Sequence, residues 1–309
     1  MTQQLQRNTA VDVQRVTQTI ALLAQEASIE LNVQDLRRLP ASRAFLPRGK
    51  RIYISHLPRQ TFQQTLAACA EVSKAGFDPI PHVPVRLLDS HTTLDRLLDE
   101  AVRHSGVNEI LLIAGDYREP LGPYATVADV LRSGSLNAHG LGRVSLAGHP
   151  EGHPKISIEE IRSAEAEKAA LAAAAGLRTT FVTQFFFEAK PYRDWVESSR
   201  AAGVRARLIG GLSGPASIAT LFKFAMRCGV GPSIRALGAR PTSFTRLIGE
   251  YSPDKVMREL AAARSCDASD FDGVHLFCFG GYLRTCEWLH GVANAHFRLG
   301  EQGGFEATQ

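Results

Sequence analysis

Eight apolar runs in this 309-residue chain each stop on, or close to, a group able to do chemistry. They are ASIELNV (27–33), RIYISH (51–56), DPIPHVPV (78–85), EILLIAGD (109–116), RVSLAGH (143–149), TTFVTQFFF (179–187), ARLIGGLS (206–213) and GVHLFCF (273–279). In order, they bring Glu30, Ser55 with His56, His82, Asp116, His149 with Glu151 and His153 just after it, Gln184, the glycines 210 and 211, and the glycines 280 and 281. A carboxyl in apolar surroundings keeps its proton to higher pH and can serve as a general acid. A second carboxylate nearby can stabilise positive charge as it develops. An amide such as Gln184 offers donors and an acceptor to the edge of a heterocycle. Each residue also has a plainer reading. Glu30 is equally a satisfied carboxylate in a wall, Asp116 a cap for the next helix or turn, His82 a rigid loop residue between prolines, and the triple phenylalanine a piece of core. His149 and His153, with His56 or His82, would supply ligands for a metal-dependent hydrolase, although a zinc site wants three or four ligands on rigid supports.

Segments with helical periodicity lie between the runs, among them TFQQTLAACAEVSKAG, TTLDRLLDEAVRHSG and YRDWVESSRAAG, each ending in the glycine expected past a helix C-terminus. Ser157 and Glu160 form a capping-box pair that opens a helix running to Gly176. Before the first run, Val16, Ile20, Leu23 and Ala27 repeat at helical spacing, which predicts a leading helix over residues 1–26. Strands alternating with helices, with no composition break, predict one domain over 1–309. Its fold class is α/β, a (β/α)8 TIM barrel with an extra N-terminal helix and extra helices between 214 and 272, before the last strand. An open doubly wound sheet would offer a GxGxxG turn after the first strand, and none follows ASIELNV. In a barrel the C-terminal ends of the strands share one mouth, so the polar residues above converge there.

Composition narrows the function classes. The chain is 44% apolar and 21% charged with a net charge of +4, and its cations (Arg37, Arg38, Arg48, Lys50, Arg51, then singles) are dispersed, which argues against nucleic acid. No stretch approaches the roughly 20 apolar residues of a membrane span. The five cysteines (69, 228, 266, 278 and 286) are odd in number and make no CxxC pair; with no apolar leader, a reduced cytoplasmic protein is expected. A homo-oligomer is left open.

Six motifs in order give the chain a likeness to the bacterial single-domain type of 5,10-methylenetetrahydrofolate reductase. SIEL at strand one resembles the family's S-F-E-F, PH at 81–82 its PHLT, and AGDY at 114–117 its RGD. HPEGHP at 149–154 resembles YPExHP, TQFFFE at 183–188 is close to TQFFFD, and LFKFA at 221–225 resembles AKKFA. The pieces span about residues 27 to 280. The resemblance implies a folate-binding reductase that moves hydride from NADH or NADPH through FAD to methylenetetrahydrofolate. Carried over by position, Glu30 is the acid that protonates the folate nitrogen, Asp116 the carboxylate near flavin and pterin, Gln184 the amide that reads the pterin, and Phe224 the ring that stacks on either ligand. Ser55, His82, Ala114, Gly115, Asp116, Tyr124, His149, His153 and Lys168 are the residues it offers to FAD, and Arg284 a partner for the folate's glutamate tail.

The chain departs from the pattern where flavin would be held. Ala114 stands where the family has arginine, His149 where it has tyrosine, and KAALAAAAG leaves only Lys168 as a cation in the stretch of helix that in the family sends Asn, Arg and Lys side chains toward the FAD phosphates. A flavin-independent member with direct hydride transfer is the alternative expectation. VHLFCFGGYLRT also replaces the family's last-strand pattern hFYTLN.

Overall fold

The structure is a computed structural model that describes residues 2–115, 117–228, 249–266, 268–301 and 303–307. Eight parallel strands close into a barrel: β1 Ser28–Leu31, β2 Arg51–Ile54, β3 Asp78–Pro84, β4 Ile110–Ile113, β5 Arg143–Gly148, β6 Arg178–Phe186, β7 Arg207–Ser213 and β8 Gly273–Phe277. Each pairs with its neighbours in sequence order and β8 closes on β1, with Ser28 opposite His275. Strands buried on both faces read as continuous apolar runs, which is why all eight are visible in the sequence.

The longer helices form the outer ring: α1 Thr2–Glu26, α2 Phe62–Lys74, α3 His91–His104, α4 Val127–Ser133, α5 Ile158–Ala174, α6 Ala189–Ala201, α7 Ile218–Cys228, α8 Asp254–Ser265 and α9 Tyr282–Ala293. Side chains at their N-termini satisfy amides that no preceding turn can. Thr61, Thr126 and Ser157 each make a full capping box, with Gln64, Asp129 and Glu160 respectively. The extra helices before the last strand are α7 and α8. The leading helix α1 packs on α8, α9 and β8, burying Ile20, Leu23 and Ala24 completely. Among the described residues no helix is long and apolar enough to cross a membrane.

Two cores result. The large one lies between strands and helices; a small one inside the barrel holds Tyr53, Ile80, Leu111, Val182 and Ile209. Alternation along each strand sets the residues two positions on at the C-terminal mouth: Glu30, Ser55 and His82. Below them the barrel is sealed by polar pairing. Arg51 donates to Glu109 at 2.8 Å, Ser145 donates to the same carboxylate at 2.6 Å, and the Tyr53 hydroxyl meets Ser145 Oγ at 2.8 Å. His275 is buried with its Nδ1 2.9 Å from Ser28 Oγ.

Candidate active site

Glu30 is the third residue of β1, and its side chain is 20% exposed. Burial raises its pKa to about 7, against the opposing effect of a hydrogen bond with Ser55 just after β2. A neighbouring imidazole, that of His82 on β3, has its Nε2 3.7 Å from Glu30 Oε2. Burial, with His56 adding positive potential, pushes His82 down to about 3, so its ring is neutral at physiological pH. The edge of Tyr53 fixes that ring from below, centroids 6.3 Å apart at 71°. His56 is held by Thr65, with Nδ1 and Oγ1 2.9 Å apart. A carboxyl that keeps its proton to neutrality, at the open end of a barrel, is equipped to protonate a weakly basic amine.

The second feature comes from an irregularity in β6. Its register with β7 runs Val182 to Ile209 and then resumes at Phe185 to Gly211, so the strand bulges between them. Val182 belongs to the inner core, yet after the bulge Phe185 and Phe187 join a cluster at the mouth and Phe186 enters the outer core. The bulge therefore inverts the alternation and gives the mouth two phenylalanines instead of one. Gln184 sits in the bulge, half-buried. Thr183 pins the distortion, accepting from Gly211 N at 2.9 Å and donating to Gln184 O at 2.8 Å. Only glycine fits at 211, because a Cβ there would lie 2.5 Å from Thr183 O and 2.8 Å from Gln184 O.

Phe185 and Phe187 are joined by Phe224 from α7, Tyr251, Phe277 at the end of β8 and Phe279 just beyond it. Phe224 and Phe279 have ring centroids 4.7 Å apart, and Phe277 and Phe279 stack at 5.9 Å and 22°. The register of β1 with β8, Ser28 to His275 and Ile29 to Leu276, carries Glu30 alongside Phe277. The mouth thus sets a protonated carboxyl beside an aromatic wall, the kind of surface that takes a flat heterocycle.

The other expected residues divide. Asp116 lies outside the described residues. Gly115 turns the chain after β4 at φ +86°, where a Cβ would come within 2.9 Å of the Tyr117 ring, and Ala114 precedes it. His149 follows β5; its backbone N–H donates to Glu165 Oε1 at 2.8 Å and its Nδ1 is 3.5 Å from the same atom. His153 forms an isolated bridge with Ile156 in the same loop. Three residues are not brought to the mouth. Tyr124 is buried in the outer core with its hydroxyl 2.6 Å from His91 Nδ1. Lys168 donates to Ala147 O at 3.3 Å and lies over Phe181, an outer-core ring. Arg284 pairs at the surface with Glu250.

Glu165 is a residue the sequence did not disclose. Burial opposes its ionisation, but hydrogen bonds from His149 and Trp195, with the charge of Arg162, outweigh burial and hold its pKa at about 2. Nothing in an alanine-rich helical stretch marks one glutamate as different from its neighbours. Phe277 and Phe279 were missed for another reason: they stand at the end of the last strand and just after it, where the sequence departs from the family's pattern. Among the described residues no three His, Cys, Asp or Glu side chains gather as a metal-binding group.

The model of a family described as methylenetetrahydrofolate reductase matches residues 60–232, more than half of the chain. That span includes His82, Gln184 and Phe224 and leaves out Glu30. Among solved structures, an uncharacterized protein from Clostridium thermocellum that binds two copies of 5-methyl-5,6,7,8-tetrahydrofolic acid is similar at 11% identity and a TM-score of 0.57. The match covers 85% of this chain and 93% of that one, and at this identity it speaks for the fold. Dihydropteroate synthase (FolP) from Thermus thermophilus matches at 13% identity and a TM-score of 0.46, over 87% of this chain and 94% of that one.

Proposed function

The chain belongs to the methylenetetrahydrofolate reductase family, and on that premise we propose that it interconverts 5,10-methylenetetrahydrofolate and 5-methyltetrahydrofolate with hydride supplied by NADH or NADPH. The observation that carries the reading is Glu30, a carboxyl that keeps its proton to about 7 beside an aromatic wall. Glu30 gives its proton to the bridge nitrogen of the folate. The carbon–nitrogen bond of the five-membered ring then breaks, its electron pair staying on the departing nitrogen, and an iminium carbon is left. Hydride adds to that carbon to form the methyl group, and the nicotinamide leaves oxidised. In the reverse direction the Glu30 carboxylate recovers the proton. The binding of 5-methyl-5,6,7,8-tetrahydrofolic acid by a protein of similar fold supports a folate as the ligand.

FAD is the hydride carrier that the family likeness implies, and its diphosphate would call for charge-assisted contacts. Of the residues offered to it, Lys168 is committed to the barrel wall and Tyr124 to the outer core, while the ionised Glu165 stands against His149. These residues do not fit a diphosphate, so no step is assigned to a flavin and the reading taken is direct transfer from the nicotinamide. The test uses purified protein, methylenetetrahydrofolate and NADH or NADPH deuterated at C4, with no flavin added and the protein's own flavin content measured. Deuterium in the methyl group without bound flavin is expected. Turnover only after FAD is supplied would return the flavin to the pathway, and no folate-dependent oxidation with or without FAD would overturn the reductase reading itself.

A further inference from the structure

Among the described residues, His82 has a buried Nε2 with no hydrogen-bond partner, and Glu30 Oε2 lies 3.7 Å from it. An unmet polar atom in a barrel interior costs about 1–3 kcal/mol, so its retention asks for a state in which it is used. Resting on the function proposed above, we infer that His82 is a positioning residue for Glu30, donating its Nε2–H to the carboxylate that remains once Glu30 has given up its proton.

The need for such a donor follows from the surroundings. Among the described residues the groups facing Glu30 or its neighbours can be named, Asp116 and residues 229–248 lying outside them. Ser55 just after β2 bonds to it; His82 faces it from β3; His56 and Tyr53 stand behind His82; His275 and Phe277 come from β8, and Cys278 is the residue after it. No lysine or arginine is among the described ones. Arg51, on the inner face of the same barrel, is committed to Glu109. An ionised Glu30 would therefore have the Ser55 hydroxyl and little else, in a place where burial disfavours charge. A cation beside Glu30 would have lowered its pKa and spoiled it as an acid. A neutral imidazole avoids this: kept uncharged by its own burial, it leaves the protonated carboxyl undisturbed and needs a shift of less than 1 Å to reach hydrogen-bonding distance from 3.7 Å once charge appears. No bond is made or broken at His82, and the proton that Glu30 delivers is its own.

The test reads Glu30 directly. In protein carrying ¹³C-labelled glutamate, the carboxyl resonance that disappears in Glu30→Gln is assigned to Glu30 and titrated in wild type, His82→Leu and His82→Gln. Leucine fills the space without a donor; glutamine can return an N–H close to the position of Nε2. The midpoint is expected to rise by about one pH unit in His82→Leu and to fall back toward wild type in His82→Gln, in line with the effect of one hydrogen bond to a charged carboxylate. The alkaline limb of the kcat/KM profile for folate reduction should follow the same order. An unchanged midpoint in His82→Leu, or one raised equally in both variants, would overturn the inference. Because the resonance is read without turnover, a shifted midpoint in a protein inactive toward methylenetetrahydrofolate would leave the His82–Glu30 pairing standing and remove the reductase reading instead.

Discussion

Glu30, half-buried, and Glu165, buried, are carboxylates with opposite fates, and the difference lies in their partners. Glu30 has a hydroxyl and a neutral imidazole, and its pKa rises to about 7; Glu165 has donors from His149, Trp195 and Arg162, and its pKa falls to about 2. The linked stabilities run in opposite directions. A carboxyl whose pKa is raised on folding costs nothing below its unfolded value and costs the full difference above its folded one. The shift at Glu30 is therefore worth about 3 kcal/mol of lost stability above pH 7. Glu30→Gln should raise the melting temperature at pH 8, leave it nearly unchanged near pH 4, and cut folate reduction by roughly 10²–10⁴-fold. Thermal scans at the two pH values, with an assay, check all three, and full activity in the variant would end the acid role. Glu165 stabilises above its unfolded pKa, and the contribution is lost as pH falls toward 2. Glu165→Gln should cost about 1.5–3 kcal/mol at pH 7, with the difference from wild type shrinking below pH 4, as urea titrations across that window would show. Glu30 stands out in the sequence by its place near the end of an apolar run. Glu165 does not, because its character comes from Trp195 thirty residues away and from a loop amide.

At the scale of elements, the site depends on one irregular strand. Regular pairing would keep the alternation of β6, sending Phe186 inward and Phe185 and Phe187 outward; the bulge reverses this and builds the aromatic wall. Gly211 permits the bulge, since its missing Cβ is the space into which the Thr183 and Gln184 carbonyls fold. Gly211→Ala must therefore push either β6 or Phe277, whose ring would lie 2.7 Å from the added Cβ. It should destabilise the protein by about 1–3 kcal/mol, as overpacking does, and weaken folate binding by more than that loss of stability explains. Chemical denaturation alongside folate titration separates the two effects, and unaltered folate affinity would show that the wall does not depend on the bulge. The strands themselves were legible: DPIPHVPV (78–85) became Asp78–Pro84 and RVSLAGH (143–149) became Arg143–Gly148. The bulge was not, because TTFVTQFFF ends in three consecutive phenylalanines after Gln184 and carries no alternation to be seen breaking. Tyr124 illustrates the converse, a polar residue near a mouth loop in sequence whose ring packs into the outer core and whose hydroxyl meets His91.

For the whole molecule, closure decides how the parts depend on one another. A closed barrel has no sheet edge, so no strand can leave without exposing the backbone groups of two neighbours. The leading helix α1 is tied into this ring at its C-terminal end. Lys50, buried at the start of β2, donates to Gln25 O at 2.8 Å and Ala24 O at 3.3 Å, capping carbonyls that the helix leaves unpaired. Gln25 donates to Ala293 O at the end of α9, and Thr19 meets Ser265 at the end of α8. The periodicity of Val16, Ile20, Leu23 and Ala27 disclosed the helix and its buried face; which elements it joins was hidden, since α8 and α9 lie more than two hundred residues on. If the chain is one domain, as its composition suggests, removing α1 should weaken everything together. Ile20 and Leu23 alone bury side chains worth about 1.5–3 kcal/mol each. Losing them and the Lys50 contacts consumes much of the roughly 5–15 kcal/mol that holds a domain together. Deletion of residues 1–26 is therefore expected to lower the melting temperature of a single transition, seen alike by far-ultraviolet and near-ultraviolet circular dichroism. Two separated transitions in the full-length protein, or a truncated protein that melts where the full chain does, would mean that α1 is an appendage and that the barrel closes without it.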